Sequence, residues 1–269
     1  MSRNRSLTRA RDTHTRSGST RKRLSQNFLT EVDTARMLVA SAHIGPTDLV
    51  VEIGPGDGML TRQLLGSTGR VLAYEKDRHF ADRLRIRYAD NDRIRCVHAD
   101  FRDMRAPSEP FMVVANIPFA SSTDIVRWCL SAQWLTSATL LTQREFARKH
   151  SGDYGRWTKL TITHWPTATI ELGATVDRRK FRPVPGVDAA VLRLVRRQQP
   201  LLTPEAMADY RRVVELGFAG AGGSFASSLR RAFPTRIVRT ACANAGIADD
   251  LPVGFVPPDS WLAVYRALR

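Results

Sequence analysis

Asp48 to Gly58 read D-L-V-V-E-I-G-P-G-D-G, a short apolar run followed by three glycines at alternate positions. The apolar residues from Leu49 to Ile53 are mostly β-branched, which is typical of a strand buried on both faces. Glycine permits a sharp turn and lets a ligand approach the backbone with no Cβ in the way. A helical pattern resumes at Met59, so the glycines are predicted to form a strand-to-helix turn. Such a turn is either an ordinary glycine-rich loop or the nucleotide-binding turn of an open α/β sheet.

Strands and helices are predicted to alternate around this turn, which indicates a mostly parallel sheet with right-handed crossovers. After Gln143, two strands at Ala168–Val176 and Ala189–Val195 follow each other without a helix, so we expect an antiparallel pair at the sheet edge. The sequence therefore predicts a Rossmann-like α/β domain over residues 24–198. The other predicted elements are helices at Glu31–His43, Arg78–Tyr88, Ser122–Leu130 and Trp157–Trp165, and strands at Arg70–Tyr74, Ile94–His98, Phe111–Ala115 and Ala138–Leu141.

The first 23 residues differ from this domain in composition. Residues 1–23 hold eight Lys and Arg against one Asp, a net charge of +7, with almost no large apolar side chains. Such a segment buries too little apolar surface to offset its ordering entropy, so we expect it to be disordered when free. It is predicted to be either a polyanion-binding arm or a solubilising tail.

The last 71 residues, 199–269, read as a small all-α domain. Thr203 is a predicted N-cap with proline directly after it, and Thr235 is a second predicted cap. Asp259 and Ser260 are the predicted start of the final helix. The glycines between Gly220 and Gly223 are expected to separate the first helix of this domain from the second.

Charge and cysteine usage limit the class of protein. The 269 residues contain 41 Lys and Arg against 26 Asp and Glu, a net charge of +15. An excess of this size indicates a polyanionic partner, and no basic amphipathic helix favours a membrane over nucleic acid. No apolar run approaches the roughly 18 residues of a membrane span, and the N-terminus has no apolar core of a secretory signal.

Cys96, Cys129 and Cys242 lack C-x-x-C spacing, so we expect free thiols in a reducing cytoplasm.

Polar residues follow the predicted strands at the edge where a doubly wound sheet binds its ligand. Glu75 ends the second strand, and its carboxylate is suited to accept both hydroxyls of a ribose. Nicotinamide enzymes and S-adenosylmethionine (SAM) enzymes both use that contact, so Glu75 indicates a nucleoside ligand without saying which. Asp100 follows the third strand, where it either accepts from an adenine amino group or caps a helix.

The fourth strand ends in Asn116, Ile117, Pro118 and Phe119, which suit an adenine amine as substrate. That amine is a poor nucleophile because its lone pair is delocalised into the ring. The Asn116 side-chain oxygen and the Ile117 carbonyl are two acceptors that can hold both N–H groups and return electron density to the nitrogen. Pro118 fixes the backbone, and Phe119 offers a flat face on which an extruded base can stack.

With these motifs in place, the sequence resembles the Erm family of 23S rRNA adenine-N6 methyltransferases, which are antibiotic-resistance enzymes. It is similar more distantly to the KsgA-type dimethyladenosine transferases of small-subunit rRNA. The resemblance covers the chain from about Leu24 to the C-terminus. It is carried by S-Q-N-F-L at Ser25–Leu29, E-I-G-P-G-D-G at Glu52–Gly58, Y-E-K-D at Tyr74–Asp77, A-D-F at Ala99–Phe101, N-I-P-F at Asn116–Phe119 and F-R-P-V-P-G-V-D at Phe181–Asp188.

The resemblance implies SAM-dependent mono- or dimethylation of one adenine at the peptidyl transferase centre of 23S rRNA, with S-adenosylhomocysteine as product and no metal. It further implies resistance to macrolide-type antibiotics, a nascent or protein-free rRNA substrate, a monomer and a cytoplasmic location. Phe119 stands where relatives often carry tyrosine, so a role that needs the hydroxyl is excluded and stacking is not. The implied cofactor-binding residues are Asn27, Leu29, Gly54, Gly56, Glu75, Asp100, Phe101 and Asn116, and the implied catalytic residues are Asn116, Ile117, Pro118 and Phe119.

Lys and Arg residues outside the crevice are the expected RNA contacts. Those of the arm are Arg21, Lys22 and Arg23, and those of the helical domain are Arg211, Arg212, Arg230 and Arg231. The basic residues of the helical domain equally fit a solvated helix face.

Three alternative functions stay open on the sequence. One is methylation of small-subunit rRNA, which uses the same chemistry on another substrate. The second is a non-catalytic RNA-binding factor, against which the intact N-I-P-F motif argues. The third is a nicotinamide-dependent oxidoreductase, which would need a hydride-transfer acid or base that no His or Tyr-x-x-x-Lys pattern supplies.

Overall fold

The computed structural model describes residues 27–220 and 223–269, and a seven-stranded sheet lies at its centre. The strands are β1 Phe28–Leu29, β2 Leu49–Ile53, β3 Arg70–Glu75, β4 Ile94–His98, β5 Phe111–Asn116, β6 Leu135–Gln143, β7 Ala168–Val176, β8 Phe181–Arg182 and β9 Ala189–Arg196. The order in the large sheet is β4-β3-β2-β5-β6-β9-β7. The strands from β2 to β6 pair in parallel, whereas β9 is antiparallel to both β6 and β7. The predicted Rossmann-like class with an antiparallel edge is confirmed.

Helices cover both faces of this sheet because alternate residues of its central strand point in opposite directions. Val50 packs into an apolar cluster with Leu38, whereas Val51 packs into a second cluster with Ile125 on the other face. All five residues of β2 are buried, Glu52 included, as expected of a strand whose other four residues are apolar. The helices are α1 Val32–Ala42, α2 Met59–Leu65, α3 Arg78–Arg87, α4 Ser122–Ser131, α5 Arg144–Ser151, α6 Lys159–His164, α7 Pro204–Phe218, α8 Phe225–Leu229, α9 Thr235–Asn244 and α10 Pro258–Ala267.

The last four helices pack around a third apolar cluster, in which Tyr210 and Trp261 are fully buried. Ile162 of α6 belongs to the same cluster, and its carbonyl accepts a hydrogen bond from the Tyr210 hydroxyl at 3.0 Å. The helical part is therefore joined to the sheet through α6 rather than through a linker alone. The predicted basic arm, with Arg21, Lys22 and Arg23, lies outside the described residues.

Helix starts in the helical part follow proline more often than the sequence analysis expects. Thr203 caps α7 as predicted, since its hydroxyl accepts from the Ala206 N–H. Thr235, however, is the first residue of α9, and Pro234 occupies the N-cap position with φ −57° and ψ 134°. In the same way α10 begins at Pro258, which places Asp259 inside its first turn. The predicted starts are wrong, by one residue for Thr235 and by two and three residues for Asp259 and Ser260, because the fixed φ of proline already sets the entry geometry.

Three further differences concern the sheet domain. Strand β6 is longer than predicted, and α5 follows it where no helix is predicted. The helix predicted from Trp157 to Trp165 is confined to α6, because Thr158 caps it with a bond from the Thr161 N–H. The chain between α5 and α6 is turn and extended segment instead.

The three cysteines are free thiols, as predicted. Cys129 and Cys242 are buried and Cys96 is half-buried, and burial raises the pKa of all three thiols. Over residues 27–220 and 223–269, no three His, Cys, Asp or Glu side chains come together as a metal-binding group. Within the same ranges, no helix has the length and apolar character needed to cross a membrane.

Candidate functional site

The predicted site residues meet at the carboxyl edge of the parallel strands. Two adjoining cavities open there and share Gly54 and Pro118 in their walls. The first has a volume of about 40 Å³ and the second about 200 Å³. The first is lined among others by Asn27, Leu29, Gly56, Asn116 and Ile117, and the second by Glu75, Asp100 and Phe101.

Gly56 lies at the tightest point of the glycine turn. Its φ is +56°, in the left-handed region that residues with a Cβ rarely adopt. A Cβ at this position would lie 2.6 Å from Cε1 of Phe28, so a side chain has no room. The Gly56 N–H donates to the Glu75 carboxylate at 2.9 Å. The turn is therefore held by packing against Phe28 of β1 and by a hydrogen bond to the end of β3.

Glu75 is almost completely buried at the end of β3, with 1% of its surface exposed. Its two carboxylate oxygens accept from the N–H groups of Gly56 and Asp77 at 2.9 and 2.8 Å. Burial raises the pKa of Glu75, and the two backbone hydrogen bonds partly oppose that shift. A carboxylate offers about four lone-pair sites, so two remain after these bonds. Glu75 can thus organise the turn and still accept hydroxyl groups from a ligand.

Glu52 is a buried acid that the sequence analysis does not select. It lies within β2, lines the first cavity and accepts from the Thr61 hydroxyl at 2.6 Å. Desolvation, with smaller contributions from Glu75 and Asp57, raises the pKa of Glu52 to about 8. No cationic side chain pairs with it in the described part of the chain. A buried, unpaired acid with a raised pKa favours a cationic ligand. The sequence feature that could have indicated this role is a single Glu inside an otherwise apolar strand.

Asp100 fills one of the two roles that the sequence leaves open, that of a helix cap, and its contact with an adenine amino group stays a prediction. It caps the short 3₁₀ helix Phe101–Asp103 by accepting from the Arg102 N–H at 3.1 Å. Its carboxylate also binds the Arg102 guanidinium and the Lys76 ammonium, at 2.7 and 2.8 Å. These hydrogen bonds hold the pKa of Asp100 well below its usual range. The side chain still lines the second cavity, so the cap does not remove it from the site.

Asn116 is oriented by the segment that precedes β1. Its side-chain amide donates to the Asn27 carbonyl at 2.8 Å, which leaves the amide oxygen free to accept. The neighbouring Ile117 N–H is bound to the Leu141 carbonyl at 3.1 Å. Within residues 27–220 and 223–269, no donor reaches the Ile117 carbonyl. Pro118, with φ −59° and ψ 122°, then turns the chain. Two acceptors and a rigid turn therefore occur together at the end of β5, and their contact with an adenine amine stays a prediction.

Phe119 lies next to a second aromatic residue from a distant motif. Its half-buried ring lies 6.4 Å from the ring of Phe181, at an interplanar angle of 66°. Phe181 is fully buried and pairs with Leu29 between β8 and β1. The two-stranded sheet thus connects the Asn27 segment to the wall behind Phe119. In the sequence, Phe181 stands out only as part of a motif, and no pattern there indicates this contact.

The cations predicted to bind RNA differ in their surroundings. Arg211, Arg212 and Arg231 are exposed, and Arg212 has only a 4.0 Å contact with Asp209. Arg230 is instead bound through both terminal nitrogens to the Asp249 carboxylate. Its charge is thereby neutralised within the helical part. Contact of these arginines with RNA stays a prediction.

The chain is similar along most of its length to proteins of known family. The family model described as ribosomal RNA adenine dimethylase matches residues 18–269. The chain is 48% identical over 249 residues to an rRNA adenine N-6-methyltransferase of Aeromicrobium erythreum, covering 92% of this chain and 73% of that one. It is 47% identical to an rRNA methyltransferase of Streptomyces thermotolerans, covering 91% of this chain and 82% of that one. The crystal structure of the 23S rRNA methyltransferase ErmE superposes with a TM-score of 0.85 and 42% identity, covering 90% of this chain and 99% of that one.

Proposed function

The chain belongs to the ribosomal RNA adenine dimethylase family and is of the Erm type, and from this premise we propose that it methylates N6 of one adenine in 23S rRNA. Family membership makes it an rRNA adenine N6-methyltransferase, which decides against the oxidoreductase and the non-catalytic factor. The choice of 23S over small-subunit rRNA is supported by the likeness to ErmE, a 23S rRNA methyltransferase. Resistance to macrolide-type antibiotics would follow from a modified drug-binding base.

The two cavities fit SAM by the chemistry of their walls. SAM supplies, when bound, an electrophilic methyl group on a sulfonium cation. Glu52 and Asp57 place acidic groups around the first cavity, which suits the cationic end of such a ligand. Asn27 and Leu29 would cover that end, and the remaining lone pairs of Glu75 would accept the ribose hydroxyls. Asp100 and Phe101 would then hold the adenine in the second cavity.

The target adenine would bind where the N-I-P-F motif faces the cavities. The Asn116 side-chain oxygen and the Ile117 carbonyl accept the two N–H bonds of the amine and keep its lone pair directed away from the ring. Phe119 stacks on the extruded base, and Pro118 holds both acceptors in register. Because the amine is oriented and polarised in a desolvated site, these residues supply positioning and electrostatics. The N6 proton passes to water, and the chemistry calls for neither a metal nor a covalent enzyme adduct.

One observation carries this proposal. The hydrogen bond from the Asn116 amide nitrogen to the Asn27 carbonyl commits the side chain to one orientation, with its oxygen as the free acceptor. An asparagine that served only to end β5 would not need to be fixed by a residue 89 positions away. The bond also links the segment above the cofactor cavity to the substrate amine.

The rest of the chain is proposed to hold the RNA. Residues 24–198 form the catalytic domain in this proposal and residues 199–269 an RNA-binding domain, with residues 1–23 as a basic arm. Arg211, Arg212 and Arg231 are exposed cations that suit phosphate contacts. The protein would act as a cytoplasmic monomer on nascent or protein-free 23S rRNA.

Methyl transfer from tritium-labelled SAM tests the proposal directly. We expect incorporation into 23S rRNA and not into 16S rRNA, with a product of N6-methylated or N6,N6-dimethylated adenine at one position. Asn116→Ala should keep SAM affinity in calorimetry and lose most of the transfer, because one buried acceptor in such a site contributes about 1–3 kcal/mol. Labelling of 16S rRNA alone would support the small-subunit alternative. Lost SAM affinity with normal turnover at saturating SAM would contradict the role of Asn116.

A further inference from the structure

A large cavity opens between the sheet domain and the helical part, away from the two cavities described above. Its volume is about 790 Å³, within the range of sites that hold small organic ligands. It lies between α5, the segment that leads to α6, and the 3₁₀ turn Val253–Phe255. The Trp157 N–H donates to the Gly254 carbonyl at 2.7 Å, so both parts of the chain build the wall.

Two aromatic rings form the apolar surface of this cavity. The Trp157 ring packs directly on Gly152, where a Cβ would lie 2.3 Å from Cζ3 of the indole. Its position is further fixed by the Trp165 ring at 6.2 Å. Tyr154 is 41% exposed, with the Arg148 guanidinium 4.1 Å from its ring centre and its hydroxyl bound to Glu145. Trp157 is half-buried against the apolar cluster of the helical part and Tyr154 is exposed, so the two rings are rigid and still line the cavity, which suits them to stacking.

Two free cations stand beside these rings. Lys149 and Arg156 are exposed and line the cavity. Neither forms an ion pair with any residue in the ranges 27–220 and 223–269. The acid that also lines the cavity, Glu145, already accepts from the Tyr154 hydroxyl. The Arg156 guanidinium lies 4.7 Å from the ring centre of Phe255, which holds it without neutralising it. Planar rings beside unpaired cations match a nucleotide, whose base can stack on a ring while its phosphate binds the cations. An acidic peptide would pair with the cations but would make no specific contact with the rings.

The cavity lies on the same edge of the sheet as the N-I-P-F motif. Helix α5 begins directly after β6, and Leu141 of that strand binds the Ile117 N–H. At 1.5 Å per residue, Lys149 is about 8 Å further along the helix than Arg144. A smaller cavity of about 360 Å³, lined by Arg144 and Arg178, shares Glu145 with the large one. Basic side chains thus continue from the end of β6 to the aromatic rings, and Arg144 among them lies 3.8 Å from the Asp188 carboxylate, whereas Lys149 and Arg156 have no ion pair in the described ranges.

We propose that this cavity binds an unpaired nucleotide of the substrate RNA that flanks the target adenine, with its base stacked on Trp157 and its phosphate held by Lys149 and Arg156. We name it the flanking-nucleotide site, formed by Lys149, Tyr154, Arg156 and Trp157. The inference rests on the proposed function, since it supplies a second contact for the same RNA. It explains why the enzyme would select an adenine by its unpaired context, because a flanking base must also leave the helical stack to enter the cavity.

Charge removal gives the first test. Lys149→Ala combined with Arg156→Ala should raise the RNA KM and make the salt dependence of RNA binding shallower by about 0.7 in the log–log slope, because the two cations hold one phosphate of a single strand. Arg83→Ala combined with Arg93→Ala is the matched control, because both arginines are exposed and lack ion pairs in the described ranges. Arg93 precedes β4 and so lies at the opposite edge of the sheet. Equal slopes for the two double variants would overturn the proposal.

Loss of the planar ring gives the second test. Trp157→Leu should lower kcat/KM for RNA about 5- to 150-fold, the range that corresponds to loss of one stacked base, whereas Trp157→Phe should retain most of it. SAM affinity and melting temperature are measured for both. If Trp157→Leu unfolds the protein, the salt slopes of the charge variants and a photo-cross-link to the substrate RNA still test whether the cavity binds a nucleotide.

A photo-cross-link locates the site independently of any variant. A 23S rRNA fragment that carries 4-thiouridine one to three nucleotides from the target adenine should cross-link to a peptide containing Tyr154 or Trp157. Cross-links confined to the helical part would overturn the proposal. Failure of the wild-type protein to methylate 23S rRNA would instead contradict the proposed function. Normal methylation with no effect at the flanking-nucleotide site would contradict only this inference.

Discussion

Replacement of Glu52 by Gln tests whether the first cavity is built for a cation. Glu52 is buried, accepts from the Thr61 hydroxyl and has a pKa raised from 4.5 to about 8. The folded protein therefore holds a proton between pH 4.5 and 8 that the unfolded chain has released. Since the folded state binds more protons in this window, the free energy of unfolding falls as the pH rises through it. At 1.36 kcal/mol per unit, the window corresponds to a ceiling of about 5 kcal/mol.

Glu52→Gln should remove most of this dependence, because the amide is neutral at every pH and still offers an oxygen to Thr61. The unfolding free energies of wild type and variant, measured by urea titration from pH 4.5 to 9, should therefore diverge in favour of the variant at the alkaline end. Part of the pH dependence of the unfolding free energy will remain, because the pKa of Glu75 is also raised and the charges of Glu75 and Glu52 interact. Glu109→Gln is the control, because that exposed acid pairs with Arg70 and its pKa is lowered.

Binding of SAM supplies a second measurement of the same group. A cation in the first cavity favours the ionised form of Glu52, so binding at pH 7 should release up to about 0.9 proton from a group of pKa about 8. Calorimetry in two buffers of different ionisation enthalpy counts that proton. The release should disappear in Glu52→Gln and persist in Glu109→Gln. An unchanged pH slope together with an unchanged proton count in Glu52→Gln would refute the reasoning.

Three further predictions concern the substrate base, the glycine turn and the arm. Phe119→Leu should lower kcat/KM for RNA about 5- to 150-fold and Phe119→Tyr should stay close to wild type, because stacking needs a planar face; equal rates for the two variants would exclude stacking there. Gly56→Ala should abolish SAM binding in calorimetry, because its Cβ would collide with Phe28 at 2.6 Å in addition to the strain of a positive φ, about 1–2 kcal/mol. Gly155→Ala has the same sign of φ and no heavy atom within 4 Å of its Cβ, so it should lose stability and keep SAM affinity. Deletion of residues 1–23 removes a net charge of +7 and should raise the RNA KM and lower the salt slope while SAM binding is unchanged; identical slopes would identify the segment as a solubilising tail.

The elements that form the two cavities at the carboxyl edge of the sheet could be predicted because each of them is determined locally. An apolar β-branched run that stops at glycines specifies a buried strand and a turn, and the acid at the end of the next strand follows from the same pattern. Glu75 is accordingly found where the sequence places it, 2.9 Å from the Gly56 N–H. The antiparallel edge was predictable for a similar reason, since two strands without an intervening helix cannot easily pair in parallel.

What the sequence could not show depends on contacts between distant segments. The Asn27 carbonyl and the Asn116 amide are 89 residues apart, and no periodicity links them. The β1–β8 pair consists of two strands of two residues each, too short for any pattern to reveal. Helix α5 was missed because its sequence R-E-F-A-R-K-H-S has few apolar residues, and its helical state is set by packing of Ala147 and His150 against the sheet domain.

Whether a basic side chain is already paired with an acid is also set by contacts between distant segments, and it determines how much that side chain can contribute to RNA binding. The sequence counts Arg230 and Lys149 as equal positive charges, yet Arg230 is bound by Asp249 on both nitrogens whereas Lys149 has no ion pair in the described part of the chain. An arginine already held in a bidentate pair must give up that partner before it can bind a phosphate, so its net contribution to RNA affinity is small. A free lysine beside an exposed ring gives up only water. The net charge of +15 therefore predicts a polyanionic partner, and the pattern of unpaired charges indicates where on the surface that partner binds.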